Sequence, residues 1–179
     1  MSIYFVDVAL AGDYKGSSNG ETAMIMIFDL DHTVIDSSHR QLTRADGSLD
    51  LDHWLENCTR EKIFADTLLP LANVMRRYYD EGHTIVVCTA RSGPCHDDRE
   101  FLASQGLRYH HWLSRGDSME SDAALKTRLL NEWAESQGFY STWRVDAIMF
   151  DDNQAVITQM LRDRLMCFDA HKYNRRLAA

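Results

Sequence analysis

The sequence contains no CxxC pair, no long basic run and no GxxxxGK[ST] loop, and no apolar stretch approaches the length of a membrane span. Each absence excludes something. A bilayer crossing needs roughly 20 consecutive apolar residues, so no membrane partner is expected. The N-terminus has no basic segment leading into an apolar one, as a secretory signal would. Without the glycine-rich phosphate loop, a P-loop kinase is excluded. The formal net charge of −8 argues against the broad cationic surface that grips nucleic-acid backbones, although it leaves room for a local basic pocket. The four cysteines, Cys58, Cys88, Cys95 and Cys167, read as reduced thiols of a cytoplasmic protein. Cys88, Cys95 and His96 do not have the spacing of a zinc site.

What is present is a soluble-protein composition, with 45% hydrophobic, 26% charged and 10% aromatic residues in 179. That length makes about one domain. With no repeat or linker, residues 1–179 are expected to form a single unit. Residues 3–10 read as a strand and the Gly/Ser-rich stretch after them as a loop. Short continuous apolar runs at 24–29, 83–90 and 145–152 have the pattern of strands buried on both faces. Further strands are expected at 107–114 and 164–170. Helical spacing covers 67–81, 95–105, 122–138 and 154–163, the first three ending at Gly82, Gly106 and Gly138. Residues 36–66 are polar and irregular, with a short helix expected around Trp54. Strands alternating with helices imply an α/β fold, a mainly parallel sheet flanked by helices.

In such sheets, ligands bind beyond the carboxyl ends of the strands. Three of the apolar runs deliver polar residues to that edge. "MIMIFDLDHT" ends in Asp29 and Asp31, "VVCTAR" in Thr89 and Arg91, and "AIMFDDN" in Asp151 and Asp152. Carboxylates converging at one rim repel each other unless they take protons or share a cation. Oxygen donors without thiolate favour Mg²⁺. A carboxylate can attack phosphorus, a second can protonate the leaving oxygen, and a hydroxyl and a cation can steady the phosphoryl group. Taken singly, each residue has an ordinary explanation. Asp151 and Asp152 would start a helix, Thr89 would be a loop hydroxyl, and Lys126 would be a solvated charge on an amphipathic helix.

Together and in this order, they resemble the haloacid dehalogenase superfamily of phosphatases. "IMIFDLDHTV" is similar to that family's hhhhDxDGT, "VVCTAR" to its second motif, Lys126 to its lysine, and "AIMFDDN" to its acidic fourth motif. "HWLSRGDSMESDAALKTRLL" resembles, more narrowly, the 3′-phosphatase domain of polynucleotide kinase-phosphatases. The resemblance implies a Rossmann-like core and a small cap insertion at 36–66, too short to close over the site. It implies Asp29 as nucleophile and Asp31 as acid/base. Mg²⁺ would be held by Asp29, the backbone carbonyl of Asp31, and Asp151, with Asp152 a further ligand or a neighbour. Thr89 and Lys126 would bind the phosphoryl group. Arg91, Arg115, His32 and Thr33 would lie against substrate.

His32 stands where that family has glycine, and histidine is among the residues that tolerate positive φ. The expected reaction is hydrolysis of a phosphomonoester at a nucleic-acid 3′ end or in a nucleotide. The alternatives are a mononucleotide phosphatase, 5′ or 3′, and a non-catalytic module on the same fold. An acidic chain with an intact constellation weighs toward a small nucleotide and against the non-catalytic reading.

Overall fold

The structure, a computed structural model, describes residues 23–93, 95–139 and 142–179; the strand and loop expected at 3–10 and 11–21 lie outside them. Seven strands and seven α-helices follow in chain order among these residues. They are β1 (Ile25–Phe28), β2 (Ile35–Asp36), α1 (Leu51–Glu56), α2 (Arg60–Ile63), β3 (Thr67–Leu68), α3 (Leu71–Asp80), β4 (Thr84–Cys88), α4 (His96–Ser104), β5 (His111–Leu113), α5 (Asp122–Ser136), β6 (Ala147–Asp151), α6 (Gln154–Arg162), β7 (Met166–Asp169) and α7 (Ala170–Leu177).

Five strands form one parallel sheet in the order β5-β4-β1-β6-β7. The apolar run of β1 is its central strand, buried at all four positions. Alternate side chains of a strand face opposite sides. Met26 and Phe28 accordingly pack into one core layer with α3, α4 and α7, and Ile25 and Ile27 into the other with α5 and α6. From β1 the chain builds outward to β4 and β5, then returns to the other side of β1 for β6. The strand order therefore reverses at β1/β6, which is where open α/β sheets bind ligands.

The segment between β1 and α3 is small. Its neck is the antiparallel pair β2–β3, with Ile35 opposite Leu68 and Asp36 opposite Thr67. The helix expected at 67–81 is shorter, because Thr67 and Leu68 are used in that pair and the helix begins only after Pro70. α7 has no counterpart in the sequence expectations. Its residues are mostly polar, and its one local signal is Asp169, whose side chain accepts from the Lys172 N–H as an N-cap. Asn174 in α7 ties two distant points together. Its Oδ1 accepts from the N–H of Leu71 (2.8 Å), and its Nδ2 donates to the Thr33 carbonyl (2.9 Å).

Candidate active site

The strand β1 carries its pairing one residue further, since the Asp29 N–H donates to the Phe150 carbonyl at 3.0 Å. The chain then turns. The Leu30 carbonyl accepts from the N–H groups of Thr33, Val34 and Ile35 at 3.0–3.1 Å, and His32 sits at φ 55°. This left-handed position is the one that glycine occupies in the resembling motif, and histidine adopts it here. The turn separates the two aspartates in direction. Asp29 stays over the sheet edge. Asp31 swings to Arg91, whose Nε and Nη2 donate to its two oxygens at 2.9 and 2.7 Å, and it also accepts from the Ser37 hydroxyl.

Lys126 is no surface residue. It is 2% exposed, and its Nζ donates to Asp29 Oδ1 at 2.6 Å and to Asp151 Oδ2 at 2.7 Å. One helical turn of α5 therefore plants a cation between the ends of β1 and β6. Burial works against this charge, but Asp151 and Asp29 outweigh it and hold the ammonium proton more firmly than usual. Asp29 is pushed well up by burial; Lys126 opposes this, and Asp151 and Asp152 add to it. Asp152 is also raised, by burial and then by Asp151.

Oxygens of Asp29, Asp151 and Asp152 lie within 4.8 Å of one another. One lysine cannot balance three such carboxylates, so the group is short of positive charge. Its all-oxygen donor set suits a hard cation such as Mg²⁺. The side chain of Asp31 is not part of this group, because Arg91 and Ser37 hold it elsewhere.

Above this floor opens a cavity of about 700 Å³, lined among others by Asp29, Asp31, His32, Thr89, Lys126 and Asp152. Thr89 is buried directly after β4, and its Oγ1 accepts from the Arg91 N–H at 3.3 Å. Arg91 and Arg115 also line the cavity, but their donors have protein partners. Besides Asp31, Arg91 donates to Asp98. Arg115 donates to the carbonyls of Ala90 (2.9 Å), Ser118 (3.2 Å) and Glu120 (2.6 Å) and to the Asp122 carboxylate, so it pins the 115–122 loop to the end of β4. Thr33, expected against substrate, does not line the cavity. The turn after Leu30 directs it into the protein, where it is fully buried and its hydroxyl has no hydrogen-bond partner among the described residues.

Sequence reasoning missed the residues that support this arrangement. Arg40 is fully buried, with Nε and Nη2 on the two oxygens of Asp66 at 2.9 and 2.8 Å and its guanidinium 4.3 Å from the Trp54 ring centroid. Asp66 also faces Arg91 at 3.6 Å. Gln41 links His32 Nε2 (2.9 Å) to the Ser37 hydroxyl, to which its Nε2 donates at 2.9 Å. In sequence, Arg40 and Gln41 lie in a polar, irregular stretch with nothing to mark them. Trp54 was the one signal there, an aromatic among polar residues.

Residues 17–179 match the family described as bacteriophage T5 5′-deoxynucleotidase. The 5′-deoxynucleotidase of Escherichia phage T5 is 42% identical over 98 residues, covering 52% of this chain and 38% of that protein, so the chain spans well under half the length of this curated relative. Among solved structures, the Pnkp1/Rnl/Hen1 complex superposes with a TM-score of 0.60 at 22% identity, covering 83% of this chain and 45% of the other. A haloacid dehalogenase superfamily hydrolase from Geobacter sulfurreducens superposes with a TM-score of 0.57 at 14% identity, covering 90% and 99%. At those identities the two structures speak for the fold alone, and it is the fold the sequence motifs implied. No helix among the described residues is long and apolar enough to cross a membrane. On a haloacid dehalogenase fold, and by a match over most of its length, the chain belongs to the bacteriophage T5 5′-deoxynucleotidase family.

Proposed function

We propose that the chain is a Mg²⁺-dependent phosphomonoesterase acting on 5′-mononucleotides, 2′-deoxynucleoside 5′-monophosphates first among them. The observation that carries the chemistry is the buried cluster of Asp29, Lys126 and Asp151, of which Asp29 and Lys126 line an open cavity. The substrate class rests on the family match. Sequence reasoning placed a nucleic-acid 3′ end first and a mononucleotide second, and the family match reverses that order. Arg91 and Arg115, expected against substrate, are engaged by Asp31, Asp98, Asp122 and loop carbonyls.

In the first step a carboxylate oxygen of Asp29 attacks phosphorus and the bond from phosphorus to O5′ breaks, leaving an aspartyl phosphate and a deoxynucleoside that needs a proton on O5′. Asp31 supplies that proton, and in the second step it takes one from the water that attacks the aspartyl phosphate. Burial alone would raise the Asp31 carboxyl, but Arg91 and Ser37 bring it down to about 2. Held this way Asp31 is ionised at neutral pH, the form required of the base. Acting as the acid requires its side chain to leave Arg91 and take up a proton beside the leaving group. Lys126 and Thr89 hold the phosphoryl oxygens as charge builds on them. Asp29, Asp151 and Asp152 would hold Mg²⁺, which supplies the positive charge that keeps Asp29 ionised and draws phosphoryl charge toward the site.

The test is phosphate release, in Mg²⁺, from 5′- and 3′-deoxynucleotides and from a 3′-phosphorylated oligonucleotide. We expect the 5′-mononucleotides to have the highest kcat/KM. A preference for the oligonucleotide, with a steep loss of binding in salt, would restore the polynucleotide reading.

A further inference from the structure

One wall of the cavity is unlike the rest. α1 places Leu51, Trp54 and Leu55 at i, i+3 and i+4, on one face of the helix. All three line the cavity, and Leu51 and Leu55 are 54% and 56% exposed. In the loop that Arg115 pins down, Met119 also lines the cavity and is 93% exposed. Large apolar side chains left open on the rim of a site whose floor is charged mark a place where something apolar is received. Trp54 is not free to turn away, because the clamped guanidinium of Arg40 lies over its ring.

We propose that Leu51, Trp54 and Leu55, together with Met119, form the nucleobase subsite, receiving the flat face of the base while the 5′-phosphate reaches Asp29 and Lys126. This rests on the mononucleotide reading above and adds to it the residues that recognise the base and the manner of recognition. The argument for this occupant is continuity. The apolar wall and the charged floor belong to one cavity, and a nucleotide has that same polarity, with its charge at the phosphate and an apolar π-face at the base.

The wall also predicts how selective the subsite is. Apolar and stacking contacts do not distinguish bases, since every base has a π-face. Two of the polar side chains that line the cavity are already in use. Gln41 is held between His32 and Ser37, and the Ser118 hydroxyl donates to Glu120. The apolar contacts of this wall therefore do not by themselves separate purines from pyrimidines.

The test compares dTMP and dGMP with 2-deoxyribose 5-phosphate, which keeps the phosphate and sugar and lacks the base. In the Leu51→Ser/Leu55→Ser double variant, the ratio of kcat/KM for either nucleotide to that for 2-deoxyribose 5-phosphate should fall about tenfold, mainly through KM, the scale set by loss of apolar contacts in a pocket. Met119→Ser should lower the same ratio by a smaller factor, and as the most exposed of these positions it is the variant to rely on should the double variant not fold. Leu161→Ser, on an exposed face of α6 outside the cavity, should leave the ratio as it is. A ratio unmoved by the double variant and by Met119→Ser, in an enzyme that still hydrolyses dTMP, overturns the base subsite and leaves the function standing. A wild-type protein that hydrolyses no 5′-deoxynucleotide overturns both.

Discussion

Two clusters of buried charge lie within one site, and they are built on opposite terms. In the first, a single lysine, Lys126, faces Asp29, Asp151 and Asp152. In the second, Arg40 and Arg91 meet Asp66, Asp31 and Asp98 mostly through paired hydrogen bonds: Arg40 grips both oxygens of Asp66, and Arg91 both oxygens of Asp31. The first cluster is short of positive charge and therefore stores electrostatic repulsion that a divalent cation would relieve. The second, two arginines against three carboxylates, is closer to neutral, and each of its carboxylates accepts directly from a guanidinium. Buried pairs of this kind contribute little net stability over an apolar replacement, yet losing one partner is expensive because the other is stranded. The difference separates work from support: we propose that the cluster two positive charges short binds and reacts, whereas the more nearly balanced one holds the insertion and Asp31 in place.

The largest effect should come from breaking the unbalanced cluster at its centre. Asp29→Asn keeps the shape and removes both the proposed nucleophile and one repelling charge. Turnover should fall by about 10⁴-fold, the scale seen when a member of a catalytic unit is removed, while the melting temperature without metal holds or rises. A variant that keeps most of its turnover would falsify the role of Asp29. Chelation with EDTA should abolish activity in the same way, and Mg²⁺ should restore it better than Ca²⁺, whose looser shell tolerates extra carboxylate oxygens.

The opposite outcome is expected in the balanced cluster. Asp66→Asn leaves Arg40 buried without its carboxylate and should lower unfolding stability by roughly 3–5 kcal/mol, read from the urea midpoint, with turnover per folded molecule far less affected than in Asp29→Asn. A midpoint equal to wild type would mean that the two clusters do not differ as argued.

Lys126 belongs to the first cluster but also neutralises it, so its removal should show on both axes. Lys126→Ala should lower kcat by about 10²-fold, as for loss of one group that stabilises transition-state charge. Lys126→Arg should recover little, because a planar fork does not replace a compact ammonium. Near-normal kinetics in Lys126→Ala would remove it from phosphoryl binding.

The smallest effect is the pH response of Asp31, a member of the second cluster that also lines the cavity. Its carboxyl lies at about 2, below the ordinary value of 3.8. A depressed folded-state value stabilises the protein above the unfolded value and loses that contribution as pH falls through it toward the folded one. Asp31 should therefore contribute about 2 kcal/mol at neutral pH, fading between about pH 4 and pH 2. In metal-free protein, the stability gap between wild type and Asp31→Asn should narrow from pH 6 toward pH 3. A constant gap would show that the Arg91 pairing does not hold Asp31 ionised.

Much of the fold was written locally. The apolar runs that became β1, β4 and β6, and the helices ending at Gly82, Gly106 and Gly138, follow from periodicity and positive-φ glycines, which need only neighbouring residues. Because a buried parallel strand ends abruptly where the ligand edge begins, Asp29, Thr89 and Asp151 could be placed at one rim without knowing the sheet order. Thr33 looked equally placed, one position beyond His32, but a tight turn reverses the side chain within a single residue, and spacing alone does not show which way it points.

The roles of the charged residues were decided by the tertiary structure. Lys126 on α5 has the same sequence pattern whether it faces water or Asp29, and only the packing of α5 across β1 and β6 buries it between two carboxylates. Arg91 follows a core strand as a substrate-binding arginine would, yet Asp31, 60 residues earlier, and Asp98 take up its donors. Arg40 meets Asp66, 26 residues later, on the far side of α1 and α2 in the chain. Secondary structure is set by interactions a few residues apart, which a sequence displays. Electrostatic partnership depends on distance in space and on the exclusion of water, and neither exists until the chain has folded.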